Sequence, residues 1–407
     1  VIGGGPAGMM AAGQAAAAGA SVILLERNER LGKKLAITGK GRGNLTNAAD
    51  IGEFIRQFPG NGSFLYTAFY RFTNDDVCNF FLAEGVPTIV ERGGRVFPQS
   101  QKAADLVEAM KRFLLRQKVK ILYGRRASTI LTSENRISGV ICGDEHFQAD
   151  AVVLATGGAS YPATGSSGDG YLLAKELGHT IIAPYPALVP LETAEPWCKE
   201  LVGLSLRNVT ARVMLNGKLI AEEFGEMLFT HYGLSGPIIL TLSRVVVGIL
   251  EQKRQPLIYL NLKPALTPEQ LDGRLLRDFE KHARKQFKNS LVDLLPQRLI
   301  APVIALSGIP PELPVHQVSK TQRAALREAL TGLPLTVTGK RPLCEAIVTA
   351  GGVSVKEVKP ATMGSKLIEK LYFAGELLDV DGNTGGYNLQ AAFSTGYLAG
   401  RFAAGKE

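Results

Sequence analysis

The chain has 407 residues, 45% hydrophobic and 20% charged, with a formal charge of +9. That length exceeds one ordinary core and predicts two or three domains of a soluble globular protein. No apolar run reaches the ~18 residues of a membrane span, and no secretory leader is read. The cysteines Cys78, Cys142, Cys198 and Cys344 are scattered without a CxxC pair, so no metal site is expected and a reducing, cytoplasmic setting is. The positive balance suits an anionic partner such as RNA, and suits equally a dispersed surface charge with bound phosphate.

The first element is VIGGGPAG, the end of a buried strand entering a glycine turn, with a few strand residues expected upstream. Gly3, Gly5 and Gly8 give GxGxxG, with Pro6 and Ala7 opening the following helix. Gly3 makes the turn, Gly5 lets backbone approach a pyrophosphate, and Gly8 lets helix pack on strand. Ala20 to Leu25 reads as a second buried strand ending at Glu26, where an acid accepts both ribose hydroxyls and disfavours a 2′-phosphate. Strand, helix, strand and acid in this order point to an ADP-containing dinucleotide.

Arg27 to Leu35 leads into AITGKGRGNLTN, residues 36–47. Lys40 is followed by Gly41, and the stretch follows the second strand, so it is not a triphosphate loop. It reads as a wrap along FAD involving Arg27, Lys34, Gly39, Gly41, Arg42, Gly43, Asn44 and Thr46. Lys40 and Arg42 are placed near phosphate, flavin or substrate, and Asn44, Thr46 and Asn47 satisfy nearby backbone or cap the next turn.

Helices are expected at 50–58, 63–71, 75–84 and 101–117, a strand at 119–122, and strand pieces at 126–132 and 136–142 turning at Asn135. Ala151 to Ala155 is a buried strand ending in Thr156-Gly157-Gly158. A helix starts near Gly168, with Asp169 as its cap or as a ligand contact.

The pattern then changes. Strands are read at 187–193, 208–215, 218–223 across an Asn216-Gly217 turn, 238–242, 257–262 and 335–338, forming a small antiparallel barrel or sheet. Thr267 to Leu330 is mostly helical, starting with Thr267 as cap and Pro268 at the first position. A basic helix from Asp272 to Ser290, including KHARKQFKNS, contacts RNA phosphates or is a solvated face. In FTHYGLSGP, residues 229–237, His231 and Tyr232 are candidates to orient or protonate substrate across a domain interface, or to make a structural turn.

At the C-terminal end, a strand from Lys370 to Ala374 enters Gly375-Glu376, and a helix runs from Tyr387 to Ala403 behind Gly385 and Gly386, with Asn388 in its first turn. Its N-terminus suits negative charge on a reduced flavin. Three glycine turns far apart in sequence must meet around one long ligand, which favours FAD over NAD. The fold class is therefore α/β: a Rossmann-like FAD-binding domain from 1–185 and 346–407, interrupted by a β-barrel-like insert (186–265, return strand 332–345) with a nested helical subdomain (266–331).

On the segments VIGGGPAG, TGKGRGNLTN, GRVFPQS, LATGGASYPATGSSGDGY, FTHYGLSGP and LYFAGELLDVDGNTGGYNLQAAFSTG, the chain resembles the BaiN-like or YhiN-like flavoproteins, also named the aminoacetone oxidase family. The resemblance implies an FAD-binding Rossmann-like domain with an inserted barrel and helical subdomain. It also implies reduction of an activated carbon–carbon double bond, either in steroid-like bile acid intermediates or in a uridine of ribosomal RNA. Relatives often carry Cys between the Arg and Asn of this loop; here the position is Gly43.

The expected cycle takes hydride from NADH or NADPH, docked transiently because only one dinucleotide turn is visible, and passes it through FAD to an enone or a uracil ring. His231, Tyr232, Lys40 and Arg42 are the candidate catalytic residues. The alternatives are a flavin oxidase or dehydrogenase of a small amine or alcohol, and a non-enzymatic RNA-binding flavoprotein. No membrane partner is expected, and oligomeric state is not legible.

Overall fold

In the computed structural model, which describes residues 1–406, Ile2 bridges in parallel to both Leu25 and Leu154. It joins two parallel pairs, Ile23–Glu26 with Lys120–Tyr123 and Val152–Leu154 with Leu371–Phe373. The strands are short apolar runs; Leu24, Leu154 and Phe373 are fully buried, as strands covered on both faces require. Turns at the carboxyl ends of such strands are where α/β folds bind ligands.

Two helices meet on this sheet. Pro6–Ala17 is rich in Ala and Gly, and Tyr387–Ala403 carries Gly396 and Gly400 along one stripe. A Cβ at Gly396 would stand 2.4 Å from the Ala7 carbonyl oxygen, and one at Gly400 2.3 Å from that of Ala11. The helices therefore touch backbone to backbone, which only glycine allows here. This contact ties the first glycine turn to the last.

Thr129–Ser133, Arg136–Cys142 and Glu145–Gln148 form an antiparallel meander. Its first turn uses Glu134 and Asn135 with φ of 50° and 61°, the left-handed pair a tight hairpin needs. The third strand, EHFQ, is too polar to be read as a strand by pattern. Thr46–Asn47, Arg95–Pro98 and Thr88–Val90 make a further small sheet.

The described residues divide into two compact units, Val1–Ala187 with the chain from Leu343 onward, and Leu188–Pro342. In the second, Leu191–Thr193, Gly233–Ser235, Lys218–Thr230, Ser205–Leu215, Leu257–Asn261 and Leu333–Lys340 pair in that order and close into an antiparallel barrel. Pro268–Lys281, Gln297–Ser307 and Lys320–Thr331 are helices of the same unit, and Thr267 caps the first through a capping box.

Three expectations fail here. The strand read at 238–242 is the start of a helix, Pro237–Glu251. Its run of Ile, Leu and Val fits a buried strand or a buried helix; Pro237 at the first turn and buried Ile238, Leu242, Val246 and Ile249 decide for the helix. The strand read at 187–193 is broken, because Ile181–Ala187 pairs with Val348–Val353 in the first unit while Leu191–Thr193 joins the barrel. Leu188, with φ of 52°, turns the chain between them. The basic helix stops at Lys281; beyond it, the chain is turns and one 3₁₀ segment, and Lys281 and Lys288 are ion-paired with Asp293 and Glu312.

His179, 2% exposed, gives the first unit a pH dependence. Ser365 Oγ accepts from the Leu367 and Ile368 N–H groups, so its hydroxyl donates to His179 Nε2 at 2.8 Å and the ring is neutral. Burial lowers the His179 pKa, against smaller opposing effects of Glu357 and the Ala174 backbone. The unfolded chain then binds the proton more readily, so this contribution to stability is full above the ordinary histidine pKa of ~6.5 and is lost as pH falls through the lowered folded value. A His179→Gln variant is expected to show a flatter fall of Tm between about pH 6.5 and 5 than the parent; parallel slopes in thermal scans would contradict this.

Candidate active site

The first glycine turn has the geometry of a phosphate seat. Gly3 has φ of +104°, and a Cβ there would lie 2.5 Å from the Ala155 carbonyl oxygen. A Cβ on Gly8 would fall 1.8 Å from the Gly3 carbonyl oxygen. Gly5 differs: an added Cβ meets nothing within 4 Å, so its backbone faces open space. Gly5 is also the N-cap of the Pro6–Ala17 helix and places no side chain on the free N–H groups of the first turn. Open backbone at an uncapped helix start is what a pyrophosphate requires.

Glu26 closes this end of the sheet at 6% exposure. Its Oε2 accepts from Gly4 N at 2.7 Å, and its Oε1 accepts from Asn28 N and Asn28 Nδ2, both at 2.7 Å. The carboxylate therefore holds the turn in shape, and Oε2 keeps a lone pair for a ribose hydroxyl.

Arg27 and Asp169 belong to one cluster. Arg27 donates to Asp169 at 2.8 Å, and Arg126 grips the same carboxylate with two bonds, at 2.7 and 2.9 Å. Burial opposes charge on Asp169, but hydrogen bonds from Arg126 and Ser167 and the charges of Arg27 and Arg126 outweigh it, so its pKa is held below the ordinary value. The expected cap is corrected: Gly168, with φ of 83°, is the N-cap, and Asp169 is the first residue of the helix, pinned by arginines.

The second turn joins the third. Gly157 has φ of +74°, and a Cβ on Gly158 would meet Thr349 Oγ1 at 2.5 Å and Glu376 Oε1 at 3.0 Å. The Thr156 hydroxyl beside them is buried, with no hydrogen-bond partner among the described residues. Glu376 accepts from Lys34 Nζ at 2.7 Å, Thr349 N at 2.8 Å and Ser160 Oγ at 3.1 Å, and Lys34 also donates to Ser160 Oγ at 2.7 Å. Lys34 and Glu376 are thus bound to each other across the sequence. Gly375, φ +75°, would press a Cβ to 2.8 Å from that of Ala7.

The loop read as a wrap folds onto the last turn. Gly39 and Lys40 are both left-handed, with φ of 57° and 59°, and Gly41 follows at 83°. Lys40 is exposed. Arg42 is engaged: it pairs with Glu91, donates to Gln101 at 2.5 Å and lies over the Phe97 ring at 4.1 Å. It is an anchor of the loop: the guanidinium read as a candidate catalytic and cofactor-binding cation is already engaged by protein groups. Gly43 has φ of +79°, and a Cβ would meet Leu106 Cδ1 at 2.8 Å and Ala103 Cα at 3.0 Å, so this backbone has no room for a side chain. With its amide oriented to match its neighbours, Asn44 accepts from Gly386 N at 3.0 Å. Thr46 bonds Gln390 at 2.6 Å, and Asn47 Nδ2 donates to both Gly385 O at 3.0 Å and Gly93 O at 3.1 Å.

Gly385 and Gly386, φ +127° and +103°, lead into the Tyr387–Ala403 helix, and a Cβ on Gly386 would fall 2.1 Å from Thr46 O. Tyr387 is 7% exposed and packs edge-on against Phe54, so it belongs to the core and does not offer its ring to a ligand. Asn388 bonds Gly382 N and Gly382 O, both at 2.8 Å, and shapes the loop before the helix. Asp379 in that loop is raised by burial, against hydrogen bonds from Asn61 and the Gly351 backbone.

His231 and Tyr232 lie in the second unit, at the turn between Lys218–Thr230 and Gly233–Ser235. Their rings meet edge to face at 4.6 Å; His231 is exposed, and Arg341 lies 4.8 Å over Tyr232. Arg126, Ser160 and Thr349 were not legible in sequence, since each acts through a partner distant along the chain; Asn28, two residues from Glu26, was missed although its partner is local.

Convergent glycine turns on a parallel sheet, with an acid at the second strand end, define a Rossmann-type dinucleotide protein. The sequence model described as the HI0933-like protein Rossmann domain matches residues 1–402, and the chain belongs to this family. It is 36% identical to a 3-dehydro-bile acid delta(4,6)-reductase of Clostridium scindens over 99% of this chain and 98% of that one. It is 31% identical to a ribosomal RNA dihydrouridine synthase of Escherichia coli, over 98% and 95%. The fold is similar to the 3-ketosteroid-delta4-(5alpha)-dehydrogenase of Rhodococcus jostii RHA1, with a TM-score of 0.54 and 17% identity over 99% of this chain and 95% of that one. The protein is an FAD-dependent oxidoreductase. No helix among the described residues is long and apolar enough to cross a membrane.

Proposed function

We propose that this protein reduces the carbon–carbon double bond of a conjugated carbonyl compound, using FAD recharged by NADH or NADPH. The observation that carries the cofactor half of the reading is the open backbone of Gly5, in a turn whose Gly3 and Gly8 are closed by their neighbours. Bound FAD supplies the hydride chemistry. Gly5 and the Pro6–Ala17 helix start receive its pyrophosphate, and Glu26 its ribose. The uncapped start of the Tyr387–Ala403 helix favours negative charge at the reacting end. Gly39, Gly41 and Asn44 would line its path, with buried Gly43 and Thr46 shaping the loop behind them, and Thr156, Gly157, Gly158, Lys34 and Glu376 would hold its middle. We read residues 188–342 as an insert, a barrel with a nested helical subdomain, and keep His231 and Tyr232 as candidates for delivering the proton to the second carbon.

A small enone is the leading substrate, supported by the 36% identity to the bile acid reductase. The uracil ring of ribosomal RNA is the second reading, supported by the 31% relative and the charge of +9; it contains the same conjugated C=C–C=O unit. Anaerobic protein reduced by one equivalent of NADH or NADPH is offered a steroidal enone or a uridine-containing ribosomal RNA fragment. Product heavier by two hydrogens is expected with one of them. Reduced protein unreactive toward both, with oxidised protein turning over an amine in air and releasing peroxide, would replace this reading with an oxidase.

A further inference from the structure

We propose that the tip of the Glu91–Arg95 hairpin, with Lys40, forms a cationic rim that receives the phosphates of the reduced nicotinamide dinucleotide; this rests on the proposed reductase reading. The chain has a single GxGxxG turn, at Gly3, Gly5 and Gly8. If FAD occupies it, a second dinucleotide must be held by other means.

The hairpin is fixed beside the flavin-side turn. Asn47 Nδ2 sits between Gly93 O and Gly385 O, at 3.1 and 3.0 Å, so the tip and the last glycine turn share one amide group. Ala48 N donates to Gly94 O at 2.7 Å, and Gly94 leaves only 2.4 Å between an added Cβ and Asn47 Oδ1. On the other side, Glu91 is paired with Arg42, which anchors the Lys40 loop. The carboxylate at the base of the tip is thereby neutralised, while Arg92 and Lys40 are exposed and Arg95 is half-exposed. Arg95 Nε donates to Arg92 O at 3.1 Å, binding the two arginines into one turn. Lys40 keeps a left-handed backbone, φ 59° and ψ 40°, a conformation that non-glycine residues seldom adopt. Lys40 and Arg95 form no ion pair among the described residues.

The rim is short. Two arginines at the tip, with Lys40 on the loop that Arg42 ties to Glu91, match the few phosphate charges of a dinucleotide, whereas a strand of RNA needs a basic track. The other basic run, from Lys281 to Ser290, has Lys281 and Lys288 paired with acids.

The test uses FAD-loaded protein carrying Arg92→Glu with Arg95→Glu, beside Arg92→Lys with Arg95→Lys. Stopped-flow reduction by NADH and by NADPH is followed at two salt concentrations, with FAD content and dithionite reduction as controls. The charge-reversed protein is expected to need at least about tenfold more nicotinamide for half-maximal reduction rate, with weaker salt dependence, while the lysine pair stays within about twofold of the parent. FAD content and dithionite reduction stay unchanged. Equal nicotinamide requirement and salt dependence in all three proteins would overturn the rim. So would an effect confined to binding of a ribosomal RNA fragment, which would assign the cations to RNA. Either result leaves the reductase reading standing if reduced protein still reduces its substrate; loss of FAD from the parent itself would sink that reading instead.

Discussion

Gly5→Ala protein is expected to fold with a melting temperature close to that of the FAD-free parent and to bind FAD at least ~10-fold more weakly, a loss of ~1.4 kcal/mol or more. The backbone at Gly5 has φ of −78°, open to any residue, and the added methyl meets no protein atom within 4 Å. Exchanging Gly for Ala at an N-cap costs the apo fold no more than ~1 kcal/mol. The methyl can therefore injure only what occupies that space. Gly8→Ala gives the opposite separation. Its methyl would stand 1.8 Å from the Gly3 carbonyl oxygen, which is backbone in a turn packed on Ala155 and unable to yield. More than ~4 kcal/mol of destabilisation is expected, enough to leave most of the protein insoluble or unfolded. Thermal scans of FAD-stripped protein and FAD titrations by flavin fluorescence quenching check both. An apo Tm lowered as much by Gly5→Ala as by Gly8→Ala would mean that the turn is structural throughout.

Glu26→Ala combines both kinds of damage. Gly4 N, Asn28 N and Asn28 Nδ2 would lose their acceptor in a site where Glu26 is 6% exposed. An unsatisfied buried donor costs ~1–3 kcal/mol, and the partial exposure of Asn28 allows water to replace part of the loss, so about 2–4 kcal/mol is expected in the FAD-free protein. In a unit of this size that is a fall of roughly 5–10 °C in Tm. FAD affinity falls further, since the ribose loses its acceptor. Glu26→Gln does not rescue: its amide nitrogen adds a donor among donors. A Glu26→Gln protein with the stability and FAD affinity of the parent would show that the carboxylate is not the hub of the turn.

The dinucleotide half was legible because its signals are local. GxGxxG, an apolar strand and a terminal acid lie within 26 residues, and each glycine answers a steric demand made by its own neighbours. The Tyr387–Ala403 helix was legible for the same reason, in its glycine start and alanine-rich run. What the sequence did not reveal was set by distant contacts. Arg42 is claimed by Glu91 and Gln101, and Lys34 by Glu376, none a near neighbour along the chain. A loop rich in glycine and cations advertises an anion without revealing that its own acids have already taken one cation. Ile238–Leu242 misled because a buried helix and a buried strand look alike over five residues; the continuing apolar stripe to Ile249 separates them. Tyr387 carried a motif-like position, but its burial against Phe54 is a property of packing.

The most direct test of the account is the fate of the electrons in FAD-loaded protein reduced anaerobically with NADH or NADPH. The oxidised flavin absorbance is expected to return on adding the conjugated substrate, with one equivalent of product carrying two additional hydrogens. Flavin that stays reduced in the presence of steroidal enone and of uridine-containing RNA, and reoxidises only with oxygen and stoichiometric peroxide, would contradict it.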